Sequence, residues 1–259
     1  MATFKERVRN REYLCGTHIN LNDPCIAKIV GMLGFDYIWI DMEHSYLTYD
    51  HLLSHIQTIQ ACGTPVIVRC PQHDFTAAKK ILEMGPDGII FPMVKTKEEV
   101  DQLISYTLYP PYGNRGFGPL NAVNFGVDSA LDYVTHNHET MCRFIQIEHI
   151  DLVKDLENVV ENPWIDGYIF GPNDLSGSIG QLMNVFGDDT QALVRESIDI
   201  LNKHGKCIGL STGDTSPEVV ARWHDMGIHM ISAGCDLNML ADNMRIMKNT
   251  LKQAHKNRN

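Results

Sequence analysis

The chain has 259 residues, 44% of them hydrophobic and 21% charged, the balance of a globular protein large enough to bury one sizeable core. Its 22 basic and 32 acidic side chains give a formal net charge of −10. With no basic block, this argues against nucleic acid or an anionic membrane as the main partner.

No apolar run is long enough to span a bilayer. The opening MATFKERVRNREY has no apolar stretch behind its charges and does not read as a secretory signal. Seven cysteines, at 15, 25, 62, 70, 142, 207 and 235, are scattered and form no C-x-x-C. Reduced thiols in a cytoplasmic protein are expected, rather than a disulfide framework or a zinc site.

Tyr13 to Ile19 reads as a first strand, followed by a helix from Pro24 to Leu33 capped by Asp23. FDYIWID is a strand ending on Asp41, with MEHSY as its exit loop. Asp50 to Cys62 is helical. His51 and His55 share a face there at i, i+4 spacing, and a solvated face is the expectation. TPVIVRC is a third strand ending at Arg69, Asp74 caps a helix to Met84, and DGIIFPM is the fourth strand. Thr96 opens another helix, where T-K-E-E resembles a capping box.

A long loop follows, YPPYGNRGFGPLNAVNFG, of a length usually reserved for function or mobility. It reads as a flexible flap whose Arg115 reaches toward the site. After a helix near Asp128 to His138 comes the central unit, residues 141 to 176. The strand MCRFIQIE ends on Glu148, a helix runs from Asp151 to Val160, and the strand IDGYIFG enters the turn GPNDLS with Asp174. A helix from Thr190 to His204, a strand KCIGLS, a helix from Ser216 to Met226 and a strand IHMISAG follow. The last helix spans Leu237 to Ala254, with Met239, Met244 and Met247 as a packing stripe against the barrel or a second subunit. The tail HKNRN is expected to fray.

Eight short apolar strands, nearly all followed by a helix, imply an α/β fold: a single (β/α)8 TIM barrel over residues 1–259. Its site lies at the C-terminal ends of the strands. An open doubly wound sheet is the alternative, but no G-x-G-x-x-G turn follows the first strand.

The barrel gathers Asp41, His44, Arg69, Gln146, Glu148, Asp174, Ser211 and Thr212 at one mouth. Singly, several have plain explanations: Asp41 as a helix cap, His44 as a loop residue, Arg69 in a structural ion pair. Glu148 does not, because an acid directly after FIQI is costly unless paired or bound to a metal. In a strand–helix–strand unit both strand ends face the same way, so Glu148 and Asp174 can share a hard divalent cation whose shell water and substrate complete.

The motifs IDMEH (40–44), VRC (68–70), YPPYGNRGFG (109–118), IQIE (145–148), FGPNDLS (170–176) and AGCD (233–236) run in order over nearly the whole chain. In them the sequence resembles the HpcH/HpaI aldolase family of metal-dependent pyruvate aldolases. The resemblance implies a (β/α)8 barrel, a homo-oligomer, often a hexamer, and a final helix exchanged between subunits. It implies Glu148 and Asp174 as ligands of Mg2+ or Mn2+, with Co2+ or Zn2+ as substitutes. Pyruvate would chelate the ion, its carboxylate held by the backbone N–H groups of Asn173 and Asp174. Arg69 would donate to the keto oxygen. His44 would be the base, oriented by Asp41 and acting through a bound water, and Gln146 would support the bound pyruvate.

The implied reaction is reversible retro-aldol cleavage of a 4-hydroxy-2-oxo acid to pyruvate and an aldehyde. The chain departs from the family in three places. PLNAVNF (119–125) carries no Arg where members acting on acidic semialdehydes often have one. Leu210, Ser211 and Thr212 are more polar than an apolar wall. Glu83 stands where an Asp thought to reach a neighbouring subunit's site is common. These departures favour a small, polar, uncharged aldehyde, with Ser211 among the substrate contacts. Three rivals remain: a Schiff-base aldolase, for which Lys206 and Lys95 are poorly placed; a lyase acting on an acyl-CoA thioester; and a barrel that binds a keto acid without turning it over.

Overall fold

A computed structural model describes residues 2–71, 73 and 75–256 of the chain. Eight parallel strands close into a barrel in sequence order: β1 Leu14–Ile19, β2 Tyr37–Asp41, β3 Val66–Arg69, β4 Gly88–Phe91, β5 Cys142–Ile147, β6 Gly167–Phe170, β7 Cys207–Thr212 and β8 Met230–Cys235. The closing pair is β1 with β8, where the register shifts between Gly16 and His18. No helix among the described residues is long and apolar enough to cross a membrane.

Alternation along each strand divides the core in two. Tyr37, Trp39, Ile67, Ile90, Phe144, Ile169 and Met230 fill the barrel interior. Ile38, Ile40, Val66, Val68, Ile145, Tyr168 and Leu210 face the surrounding helices. Both faces of these strands are therefore apolar, which is why they read as continuous hydrophobic runs.

The helices are α1 Phe4–Arg9, α2 Pro24–Met32, α3 Tyr49–Gln60, α4 Phe75–Glu83, α5 Lys97–Ser105, α6 Ala130–Thr140, α7 Ile150–Val159, α8 Pro172–Ser178, α9 Asp188–Lys203, α10 Pro217–Asp225 and α11 Asp236–Lys256. Asp23 caps α2 through the Cys25 N–H. Thr96 accepts from the Glu99 N–H at the start of α5, while the Glu99 carboxylate reaches the Lys95 N–H instead of completing the box. Asp74, expected to cap α4, lies outside the described residues, as do residues 257–259 of the tail.

Among the α-helices, α1 lies outside the sequence reading. Helix α1 carries a complete capping box between Thr3 and Glu6. Its Phe4 and Val8 belong to the interior cluster and close the N-terminal end of the barrel. The buried Lys5 ammonium donates to Asp166 at 2.9 Å and to the Met141 carbonyl at 2.7 Å. Helix α8 occupies the segment read as a turn, with Asn173 and Asp174 in its first turn.

Two expectations about side chains are corrected. Arg115 does not approach the strand ends. Its guanidinium is buried over Tyr109, 4.5 Å from the ring centre, and lies 3.5 Å from the Glu83 carboxylate. Glu83 ends α4, which leads into the N-terminal end of β4, so this pair sits at the opposite end of the barrel from the site. His55 is buried, not on a solvated face, with its Nε2 2.7 Å from the Leu21 carbonyl. Its partner in the i, i+4 pair, His51, instead pairs with Thr48. No residue of α11 is buried: Met244 and Met247 are 53% exposed, and Met239, 40% exposed, lines a cavity beside β1 and β8, so of the two partners expected for the stripe the chain's own barrel covers little.

Candidate active site

At the C-terminal ends of the strands, inward-facing polar side chains replace the apolar filling. Register aligns Asp41 at the end of β2 with Arg69 at the end of β3. The two form a bidentate pair, Nε to Oδ1 at 2.9 Å and Nη2 to Oδ2 at 2.5 Å. Asp41 Oδ1 also accepts the backbone N–H groups of Glu43 (2.9 Å) and His44 (3.3 Å). Burial pushes the Asp41 carboxyl up, but these bonds and the Arg69 charge outweigh it and hold the group below the usual carboxylate range. Asp41 does not cap the next helix, α3, whose N-cap is Thr48; it caps the exit loop of β2 and anchors Arg69.

The third guanidinium nitrogen, Arg69 Nη1, points away from Asp41. It lies 3.1 Å from Glu43 Oε2 and 4.0 Å from Glu148 Oε1. Glu148 follows β5 and is 1% exposed. Its Oε2 accepts the Met93 N–H at 2.9 Å, from a residue held at φ 52°. Burial pushes its pKa up to about 8, and the negative charges of Glu43 and Asp174 act in the same direction, against the Met93 N–H and Arg69. Gly171, after β6, makes the room: a Cβ there would stand 2.3 Å from Glu148 Oε1.

Gln146 projects inward from β5, buried, with its Oε1 unpartnered. Asn173 and Asp174 are exposed in the first turn of α8. Asp174 interacts electrostatically with both Glu43 and Glu148. The His44 ring is 67% exposed at the mouth, and its nearest carboxylate is Glu43, at 3.8 Å from Nε2. Asp41 reaches His44 only through the backbone. Ser211, on the opposite wall, lies at the end of β7 with its Oγ 3.2 Å from His18 Nε2.

Glu43 and His18 had no place in the sequence reading. Glu43 sits inside the IDMEH motif and was legible as a third acid beside the strand end. His18 is an inward position of β1, two residues beyond Gly16. Lys206, the rejected Schiff-base candidate, bonds the carbonyls of Asn162 and Ile165, far below this mouth.

Among the described residues no three His, Cys, Asp or Glu side chains form a ready metal-binding group. The donor set is instead oxygen-rich and incomplete. It has a carboxyl that burial, with a smaller push from two neighbouring acids, makes costly to ionise, and an amide oxygen with no partner. Such a set suits a hard divalent cation with open positions better than a zinc cage.

Comparison with known proteins agrees with this architecture. The model of the family described as HpcH/HpaI aldolase/citrate lyase matches residues 14–243. The chain is 28% identical to the hydroxypyruvate/pyruvate aldolase of Pseudomonas aeruginosa, over 96% of this chain and 92% of that one. It is also 28% identical to the 2-keto-3-deoxy-L-rhamnonate aldolase of Escherichia coli K12, over 92% and 89%. The crystal structure of an HpcH/HpaI aldolase from Desulfitobacterium hafniense superposes with a TM-score of 0.89 over 97% of both chains, at 24% identity. A closed barrel with this polar rim, matched by the family model over most of its length, places the chain in the HpcH/HpaI aldolase/citrate lyase family of carbon–carbon lyases.

Proposed function

We propose that the protein cleaves a 4-hydroxy-2-oxo acid reversibly to pyruvate and an aldehyde, with a divalent cation, Mg2+ or Mn2+, held by Glu148 and Asp174. The observation that carries this reading is the orientation of Arg69. Asp41 immobilises two of its nitrogens, and the third is aimed at the carboxylates of Glu43 and Glu148. When bound, the cation supplies positive charge next to a keto oxygen on which negative charge develops. Arg69 Nη1 donates to that same oxygen from a fixed direction, so little reorganisation is needed as charge builds. Gln146 orients the keto acid from the barrel floor, and the first backbone N–H groups of α8, at Asn173 and Asp174, take its carboxylate. His44, open to the mouth, is the base that takes a proton from the pyruvate methyl group through a bound water and returns it.

The aldehyde is small, polar and uncharged. The support is the hydroxyl-bearing wall at Ser211 and Thr212 and the position of Arg115, which leaves no cation from the 109–126 loop at the mouth. The names of the two relatives join pyruvate with hydroxypyruvate, or specify a 2-keto-3-deoxy sugar acid, and fit a neutral hydroxylated partner. The protein is cytoplasmic, in keeping with seven free cysteines.

It acts as a homo-oligomer, a hexamer by family resemblance, with α11 exchanged. A cavity of about 490 Å3, lined by Leu14, Phe35, Val220, Ile231 and Met239 among others, lies on the outside of the barrel beside β1 and β8. The apolar side of another subunit's α11 is its occupant.

Condensation of pyruvate with lactaldehyde, glyceraldehyde and succinic semialdehyde tests the reading. Activity with the first two, lost in EDTA and restored by Mn2+, is expected. Activity insensitive to EDTA and trapped by borohydride overturns it, and a clear preference for succinic semialdehyde overturns the aldehyde assignment.

A further inference from the structure

The wall opposite Arg69 carries a chain of hydrogen-bonding groups centred on His18. His18 lies inside the barrel at the end of β1, its ring centre 4.6 Å from that of Trp39. Its Nδ1 is 3.1 Å from the Gly234 carbonyl oxygen and 3.1 Å from Ser232 Oγ. A carbonyl oxygen can only accept, and the tautomer that serves it carries the proton on Nδ1, with the Ser232 hydroxyl accepting beside it. A neutral imidazole then leaves Nε2 as an acceptor, and the group 3.2 Å from Nε2 is the Ser211 hydroxyl. Burial, with the Arg69 charge adding to it and Asp41 opposing, lowers the His18 pKa to about 4, so the ring is neutral at pH 7.

The Ser211 hydroxyl has one proton, and His18 Nε2 takes it. What Ser211 offers to the mouth is therefore only lone pairs. Relying on the aldolase reading above, we infer that His18 is a positioning residue that locks Ser211 as a hydrogen-bond acceptor, and that this lock selects an aldehyde bearing a hydroxyl donor over one bearing a carboxylate. A hydroxylated aldehyde gives Ser211 a proton to accept. A carboxylate meets lone pairs with lone pairs. An aldehyde lacking the hydroxyl leaves a half-buried acceptor without its partner, a loss sites built for hydroxyl recognition amplify.

Two measurements test this. In the 15N-labelled metal-free protein, the His18 ring is expected to give a protonated Nδ1 and an unprotonated Nε2 at pH 7; the opposite tautomer overturns the inference. For the metal-loaded enzyme, kcat/KM is compared for lactaldehyde, propanal and succinic semialdehyde. Each value is normalised to that variant's own rate of pyruvate methyl-proton exchange. The lactaldehyde-to-propanal ratio is expected to fall about tenfold in Ser211→Ala. In His18→Phe, which keeps a ring against Trp39 but frees the Ser211 hydroxyl to turn, succinic semialdehyde is expected to gain relative to lactaldehyde. Ratios that do not move in either variant, with exchange intact, overturn this inference alone. A wild-type enzyme that exchanges no pyruvate protons overturns the aldolase reading, and the substrate selection with it.

Discussion

Asp41 and Arg69 meet through two parallel hydrogen bonds, at 2.9 and 2.5 Å, across adjacent strand ends. The pairing is set by register: β2 and β3 align so that the two residues are direct neighbours. A guanidinium held this way has one orientation, and its remaining nitrogen has one direction. Arg69→Lys keeps the charge but loses the fork. Aldol turnover is expected to fall about 100- to 1,000-fold, with Mn2+ affinity changed far less. Turnover measured beside metal titration separates the two effects.

Gly171 is the second point where a single atom matters. With a Cβ only 2.3 Å from Glu148 Oε1, Gly171→Ala must displace that carboxylate or the β6–α8 turn. Mn2+ affinity is expected to drop by about 100-fold, while the melting temperature changes little. Calorimetric titration with Mn2+ checks the first point and thermal unfolding the second; unchanged affinity would contradict the role given to Glu148.

The neutral His18 ring also leaves a mark on stability. Its folded-state pKa, about 4, lies below its ordinary value of 6.5. Between these values the unfolded chain binds the extra proton, so stability rises with pH through this window. The contribution is complete above pH 6.5 and is lost as pH falls toward 4, in total roughly 3 kcal/mol. In His18→Phe the slope of unfolding free energy over pH 4–6.5 is expected to flatten by that amount. Urea unfolding at several pH values measures it.

The stripe on α11 makes a prediction about assembly. Met244, Ile246, Met247 and Leu251 are 53–65% exposed, more apolar surface than a solvated helix would carry. Under the proposed assembly, Met244→Lys with Met247→Lys is expected to sediment as smaller species than the wild type, without loss of the barrel's circular dichroism. An unchanged sedimentation coefficient would remove the exchanged helix from the account.

The barrel itself was legible because buried parallel strands are short, apolar on both faces and bounded by turn residues, as TPVIVRC and DGIIFPM are. The strand-end acids were legible for the same reason, since Glu148 interrupts an apolar run. Helix α1 was not. Six residues with two apolar positions cannot hold a helix alone; α1 exists because Phe4 and Val8 plug the barrel and Lys5 finds Asp166, 161 positions away. Arg115 misled for the opposite reason. A loop rich in Gly and Pro reads as mobile, yet its Arg is clamped by Tyr109, Tyr133 and Glu83, contacts with no local signature. His18 was hidden by its own strand: its partners, Ser211, Ser232 and Gly234, become neighbours only when β1 closes against β8, with β7 beside them.

The most direct test is the exchange of pyruvate methyl protons in D2O, followed by proton NMR with Mn2+-loaded enzyme subsequently stripped of the ion. It needs no knowledge of the aldehyde. The account predicts exchange in the wild type, its loss in Glu148→Gln together with Mn2+ binding, and its loss in His44→Ala with Mn2+ still bound. No exchange in the wild type, or exchange undiminished in Glu148→Gln, would contradict it.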